Sequence, residues 1–150
     1  MNTEVCQQSK EFLAEILDDL RFDLTVSAEN VIEGCMLNLS GSDTSYLLSE
    51  SGELLDAFEV ILFQIYGSEL EKTERFICDA EGFRQTRKAE LQAMARFAAQ
   101  NVRKSGKPFI FGKLNSTERR TIHLTLANEV DLQTESVGVG RDRHLQVKLK

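Results

Sequence analysis

The stretch NSTERRTIH, which begins at Asn115, decides how the C-terminal part of this chain folds. Asn115 followed three residues later by Glu118 forms a capping box, in which each side chain bonds the other residue's backbone N–H at the start of a helix. Arg119 and His123 are four residues apart, so they share one face of that helix. The stretch therefore predicts a helix, ending near Asn128, that presents an arginine and a histidine side by side.

The residues around this helix predict a small sheet. Phe109–Phe111 is a short apolar run after the helix-breaking Gly106 and Pro108. Two further strands, Leu132–Val137 and His144–Lys150, flank a turn-rich segment and alternate apolar with polar residues. We therefore expect an α/β unit with a three-stranded sheet.

A long helix from Glu81 to Lys104 is predicted to precede this unit. Its apolar side repeats at helical spacing through Leu91, Met94, Ala98 and Val102. We interpret it as a connecting helix, which divides the chain into domains at residues 8–80 and 107–150 with the connector at 81–106.

The N-terminal half reads as helix, strand, strand, helix, helix, strand. The segments are a helix over Ser9–Arg21, strands around Phe22–Val26 and Cys35–Leu39 with a turn at Ala28–Asn30, two helices within Thr44–Tyr66, and a strand at Arg75–Asp79. The second of the two helices is expected to pack Leu55, Phe58, Leu62 and Ile65 inward. This order predicts an α+β fold with a small sheet covered on one face.

Charge separates the two halves. The chain has a formal net charge of −6, but residues 1–80 carry four basic and seventeen acidic residues, whereas residues 81–150 carry fourteen basic and seven acidic ones. Binding to phosphates needs local positive potential, so it is expected only in the C-terminal part. The basic residues of the long helix should extend that positive surface; they are Arg84, Arg87, Lys88, Arg96 and Arg103.

Cysteine usage and hydropathy indicate the cellular compartment of the protein. Cys6, Cys35 and Cys78 are odd in number, far apart and embedded in apolar segments, so we expect reduced, packed thiols. The N-terminal stretch MNTEVCQQSKEF lacks the basic and apolar regions of a signal peptide, and no run of about 18 apolar residues occurs. The interpretation is a cytoplasmic protein without a membrane segment.

The sequence offers no convincing catalytic motif. Gly112-Lys113 lacks the rest of a phosphate-binding loop, and Gly138-Val139-Gly140 lacks the third glycine of a dinucleotide fingerprint. Two histidines without a cysteine pair argue against a zinc site. We expect no catalytic residue, no metal and no cofactor, and we interpret the protein as not an enzyme; a nucleotide hydrolase would need a site that the sequence does not show.

Arg119 and His123 are the leading candidates for ligand contact. Guanidinium offers paired donors to phosphate and can stack on a base, and imidazole can stack and hydrogen-bond. The alternative is structural: Arg119 pairs with Glu118 or Glu135 while His123 packs against the sheet. Spacing alone leaves both open.

At these residues the chain resembles a known family. Asn115–His123, followed by Thr134–Arg143, resembles the R-three-H domain, which is named for an arginine and a histidine separated by three residues. Over roughly residues 10–150 the chain is similar to the bacterial Jag (KhpB, SpoIIIJ-associated) proteins, in which a type II KH domain precedes the R-three-H domain. The KH part of the resemblance rests on Leu47–Ala57, and the join rests on Asp79–Arg84.

The resemblance implies binding of single-stranded RNA or DNA in the cytoplasm, and we expect a post-transcriptional regulator. It makes Arg119 and His123 the signature pair and matches Arg143 to a late basic position. Nearby basic residues complete the predicted nucleic-acid site, namely Lys113, Arg120 and Arg141. The domains become a KH-like domain (8–80), a connecting helix (81–106) and an R-three-H domain (107–150).

One segment departs from the family pattern. The KH loop usually has glycine at its first and last positions, with two often basic residues between them, but here it reads Ser49-Glu50-Ser51-Gly52. A side chain at the first position and a negative charge at the second oppose close approach of phosphate. This degenerate KH loop is expected to bind RNA poorly, and the small N-terminal domain of many Jag proteins is expected to be absent. The alternative function is a protein-interaction unit, with the acidic half docking on a second copy or on a KH protein.

Overall fold

The computed structural model describes residues 3–150; Met1 and Asn2 of the N-terminal stretch interpreted above lie outside the described residues. The chain folds as two compact units that divide after Arg84. Each unit combines a three-stranded sheet with helices, so the predicted α+β class is confirmed. None of the helices described between residues 3 and 150 combines the length and apolar content that a membrane span requires.

The first unit has the predicted order of elements. They are α1 (Thr3–Asp19), β1 (Thr25–Val31), β2 (Gly34–Ser40), α2 (Thr44–Leu48), α3 (Glu53–Tyr66) and β3 (Arg75–Asp79). The sheet order is β1-β2-β3, with β1 antiparallel and β3 parallel to β2. Central strand β2 is the most buried strand, and it shares one apolar core with α1, which packs mainly on β1, and α3, which packs mainly on β3; the core includes Leu13, Leu17, Leu37, Leu39, Leu55, Phe58 and Leu62.

Two local predictions in this unit are wrong. The turn predicted at Ala28–Asn30 lies inside β1, and the chain reverses at Ile32-Glu33 because the alternating pattern of β1 continues to Val31. Ile65, expected inside, is 47% exposed, and Tyr66 packs against the core in its place. The helical period brings either position near the core face, and packing selects between them.

The expectation of three reduced cysteines is also wrong. Cys6 and Cys35 form a disulfide, and only Cys78 is free among the described cysteines. The pairing joins α1 to β2, which lie far apart in sequence and are brought together by the fold. Burial raises the pKa of the Cys78 thiol, so Cys78 stays protonated and packs as a small apolar side chain. The cysteines therefore give no support for a reducing compartment, and the cytoplasmic location stays a prediction.

The segment at the end of the first unit is held by Arg84. Its guanidinium contacts Asp56 Oδ1 at 2.8 Å and Glu59 Oε2 at 2.9 Å, and its Nε donates to the Cys78 carbonyl at 3.1 Å. Burial raises the pKa of Glu59 despite the hydrogen bond from the Cys78 N–H and the charge of Arg84. Asp79 Oδ1 accepts from the Arg84 N–H and so caps the next helix. The segment Asp79–Arg84, which the resemblance placed between the two domains, therefore links α3, β3 and the start of the next helix.

The second unit begins within α4 (Phe83–Ser105), whose first two residues belong to the first unit. It continues with β4 (Phe109–Ile110), α5 (Ser116–Leu126), β5 (Leu132–Val137) and β6 (His144–Leu149). The sheet is antiparallel in the order β4-β6-β5, which makes β5 an edge strand. The predicted apolar side of α4 packs into this unit's core, through Leu91, Met94, Ala98 and Val102.

Candidate functional site

The start of α5 is fixed by the predicted capping box. Asn115 Oδ1 accepts from the Glu118 N–H at 2.9 Å, and Glu118 Oε1 accepts from the Asn115 N–H at 3.2 Å. The helix runs from Ser116 to Leu126, two residues short of the predicted end. Ile122 and Leu126 turn into the core, so Arg119 and His123 fall on another side of the helix.

An ion pair that the sequence did not reveal anchors the same helix end. Glu118 is only 5% exposed, and its Oε2 accepts from Arg87 Nε of α4 at 2.5 Å. Burial alone would lower the pKa of Arg87, but the hydrogen bonds to Glu118 and Glu90 outweigh it and the pKa is raised. Because a buried charge is costly without its partner, this pair constrains where α5 begins relative to α4.

A cleft of about 490 Å³ lies beside α5. Four of its lining residues come from the helix, three from β5, one from the loop before β6 and one from β6. They are Ser116, Arg119, Arg120, His123, Thr134, Glu135, Ser136, Arg143 and Leu145. Three arginines and a histidine therefore border one concave surface.

Arg119 is half-buried at the wall of the cleft. Its Nη1 donates to the Leu114 carbonyl at 2.8 Å, which leaves the other guanidinium N–H groups for further partners. The structural alternative of a pair with Glu118 or Glu135 does not occur as proposed, because both carboxylates are engaged elsewhere. Glu118 binds Arg87, and Glu135 Oε1 accepts from Gln146 and Lys148.

His123 is exposed and attached to the sheet by one ring nitrogen. Its Nδ1 is hydrogen-bonded to Thr134 Oγ1 on β5. Thr134 stands opposite Val147 in the register, and residues directly opposite share a face, so Thr134 lies on the helix-covered side of the sheet. The histidine therefore contacts the sheet, as the structural alternative held, but its ring borders the cleft.

The remaining candidate residues are distributed unevenly. Arg120 and Arg143 are exposed and line the cleft, whereas Lys113 and Arg141 are exposed and lie outside its lining. Arg143 Nη1 donates to the Gly138 carbonyl at 3.1 Å. A Cβ at Gly138 would lie 2.8 Å from the Asp142 carbonyl oxygen at a φ of +97°, so this loop needs glycine to hold Arg143 in place.

Most of the arginines predicted to form a basic surface along α4 are in ion pairs with carboxylates of the protein itself. Arg84 pairs with Asp56 and Glu59, and Arg87 pairs with Glu118 and Glu90. Arg103 contacts two carboxylates of the same unit, Glu129 at 2.7 Å and Asp131 at 2.8 Å. The expectation that all five basic residues extend the footprint is therefore wrong for three of them, because nearby acids neutralise their charge; Lys88 and Arg96 are exposed.

The degenerate KH loop, Ser49–Gly52, forms a tight turn between α2 and α3. Glu50, Ser51 and Gly52 have φ values of 51°, 57° and 77°, in the left-handed region that disfavours residues with a side chain. A Cβ on Gly52 would lie 2.5 Å from the Phe83 ring. The glycine that remains in this loop is therefore required by packing within the unit.

Sequence reasoning missed several residues at the cleft, notably Ser116, Thr134 and Ser136. A signal existed for the last two, because they alternate with Leu132 along β5 and so share its core-facing side. Hydroxyl groups on a covered face point to a polar function there. Arg87 gave no such signal, since its partner lies 31 residues away. Across residues 3–150, no three His, Cys, Asp or Glu side chains are grouped so that they could hold a metal ion.

Comparison with known proteins agrees with this arrangement. The R-three-H domain family matches residues 89–149, which begin within α4 and include the cleft. The RNA-binding protein KhpB of Clostridium symbiosum is 30% identical over 142 residues, which cover 93% of this chain and 64% of that protein. KhpB of Bacillus subtilis (strain 168) is 27% identical over 146 residues, covering 96% of this chain and 70% of that protein. The chain thus spans less than two thirds of the first relative's length; its residues 89–149 match the R-three-H domain, and over almost all of its own length it is similar to the KhpB proteins.

Proposed function

We propose that this protein binds single-stranded RNA in the cleft beside α5, carries out no chemistry on it, and serves as a post-transcriptional regulator. The observation that carries the proposal is the convergence of Arg119, Arg120, Arg143 and His123 on one concave surface. Arginine offers paired donors to phosphate oxygens, and both arginine and histidine can stack on an unpaired base.

The charge distribution supports this choice of surface. Residues 85–150 carry thirteen basic and six acidic residues, a net charge of +7. Local positive potential attracts a polyanion even when the whole chain is acidic. Two relatives that share most of this chain's length are named RNA-binding proteins, which favours RNA over DNA as the ligand.

A titration against matched ligands tests the proposal. The full chain is titrated with a labelled RNA of about 12 nucleotides, with its duplex, and with DNA of the same sequence. We expect the single-stranded RNA to bind most tightly, because a duplex hides the base faces. If three arginines each contact a phosphate, affinity should fall about 20-fold between about 50 and 200 mM salt. Binding that is insensitive to salt, or that favours the duplex, would contradict the proposal.

A second candidate function rests on α3 of the acidic unit. Val60 and Phe63 are each 56% exposed and lie three residues apart on α3, so they share one side of the helix. Exposed apolar side chains on one helix are typical of protein-interaction surfaces. We propose this face as a contact for a second copy or a KH-domain protein. Sedimentation of the full chain, alone and with a candidate KH protein, tests this contact. A chain that stays monomeric and does not bind the KH protein would exclude it.

A further inference from the structure

One member of the signature pair, His123, is hydrogen-bonded at the cleft to a residue outside the pair, Thr134. Thr134 is half-buried on the edge strand β5, and its hydroxyl is hydrogen-bonded to His123 Nδ1 across the space between β5 and α5. Ser136, two residues further along β5, lies on the same face of the strand and also borders the cleft. Glu135, between these two residues, also lines the cleft, and its Oε1 accepts from Gln146 and Lys148.

We propose that Thr134 is a positioning residue for His123: it holds Nδ1 so that Nε2 is the ring nitrogen presented to the RNA. The inference rests on the proposed function of the cleft. The bond made by one imidazole nitrogen determines how the other is presented, and an exposed histidine on a helix otherwise samples several ring orientations.

A hydroxyl suits this role better than a carboxylate would. It can donate to Nδ1 when the neutral ring carries its proton on Nε2, and it can accept from Nδ1–H when the ring is charged. In both states Nε2–H can donate to a phosphate oxygen or to a base acceptor. A carboxylate at this position would repel the phosphates that the surrounding arginines attract.

Thr125 provides a matched control on the same unit. Its hydroxyl donates to the Thr121 carbonyl within α5 at 2.7 Å, and it is not part of the cleft lining. Thr134→Val and Thr125→Val therefore remove the same hydroxyl from half-buried positions, and only the first removes a partner of His123.

The experiment combines RNA affinity with the ring signals of His123. In the full chain we expect Thr134→Val to weaken RNA binding about three- to tenfold, the usual worth of one hydrogen bond, and Thr125→Val to leave it unchanged. Thr134→Ser should restore the affinity. The ¹⁵N shifts of the His123 ring should move in Thr134→Val and return in Thr134→Ser, and this readout needs no RNA.

A double-mutant cycle separates positioning from direct contact. In the His123→Ala background, Thr134→Val should cause no further loss of affinity, because its effect passes through the missing ring. An equal loss in both backgrounds would overturn the proposal, as would unchanged ring shifts. Failure of the unmodified chain to bind RNA would refute the proposed function, while the ring shifts would still decide whether Thr134 orients His123.

Discussion

The two units of this protein both combine helices with a three-stranded sheet, yet their net charges have opposite signs. The first unit, residues 1–84, carries five basic and eighteen acidic residues, whereas the second carries thirteen and six. In the first unit, the loop that would approach a nucleic acid contains Glu50, and its remaining glycine is packed under Phe83. In the second, three arginines border an open cleft.

This difference shows that net charge and basic residue counts are poor guides by themselves. Arg84, Arg87 and Arg103 carry the same positive charge as Arg119, but they are bound to carboxylates and stabilise the units. Arg119, Arg120 and Arg143 instead border the cleft. The comparison predicts that changes at the cleft lower RNA affinity, whereas the loss of a disulfide or of an internal ion pair lowers stability.

The largest effect is expected from removing the signature pair. Arg119→Ala with His123→Ala should weaken RNA binding by about 2 to 6 kcal/mol, since each group is worth about 1 to 3. The melting temperature should change little, because both residues lie outside the Ile122/Leu126 stripe in the core. Lys72→Ala with Arg75→Ala, two exposed basic residues of the first unit, is the control for lost charge. A large drop in stability would make the pair structural, whereas affinity equal to the control's would mean that the pair does not bind RNA.

The next effect concerns the disulfide of the first unit. Closing a loop of 29 residues stabilises a fold by about 3.6 kcal/mol, so reduction or Cys6→Ala with Cys35→Ala should lower the free energy of unfolding by that amount. Urea unfolding of the oxidised and reduced protein measures it. RNA affinity under native conditions should stay the same. A parallel loss of binding would show that the first unit contributes to the RNA surface.

A somewhat smaller effect is expected from the ion pair of the second unit. Arg87→Ala leaves the Glu118 carboxylate buried without its charged partner and should cost about 2 kcal/mol of stability. Arg96→Ala, an exposed arginine of the same helix, should cost little. Thermal melts with hydrogen exchange of α5 amides test this. Equal, small effects for the two variants would mean that Glu118 is held by its capping box alone.

The smallest effect is a gain of binding in the first unit. Ser49→Gly with Glu50→Lys restores the usual first glycine and reverses the charge at the loop, which should raise RNA affinity by about 1 kcal/mol at most. Glu33→Lys makes the same charge change in the β1–β2 turn and serves as the control. Equal gains in the two variants would mean that only net charge matters. No gain from the loop variant would mean that this surface is closed to RNA for another reason, including use in protein contact.

Much of the fold could be read from local patterns. The capping box at Asn115 and Glu118, the periodic apolar side of α4 and the strands of the second unit are confirmed by the structure. These features depend on residues a few positions apart, whose preferences act before any tertiary contact forms. Errors occurred where two local solutions were nearly equivalent, as at Ile65 and Tyr66, and packing made the choice.

The sequence by itself determined the order of the elements, the opposite charge of the two halves and the placement of Arg119 and His123 on one helix face. Only the tertiary structure decided that Cys6 pairs with Cys35, that Arg87 is bound to Glu118, and that Thr134 reaches His123. The reason is physical: helical spacing relates residues three or four apart, whereas each of these contacts joins segments between 11 and 31 residues apart that meet only when the sheets and helices pack.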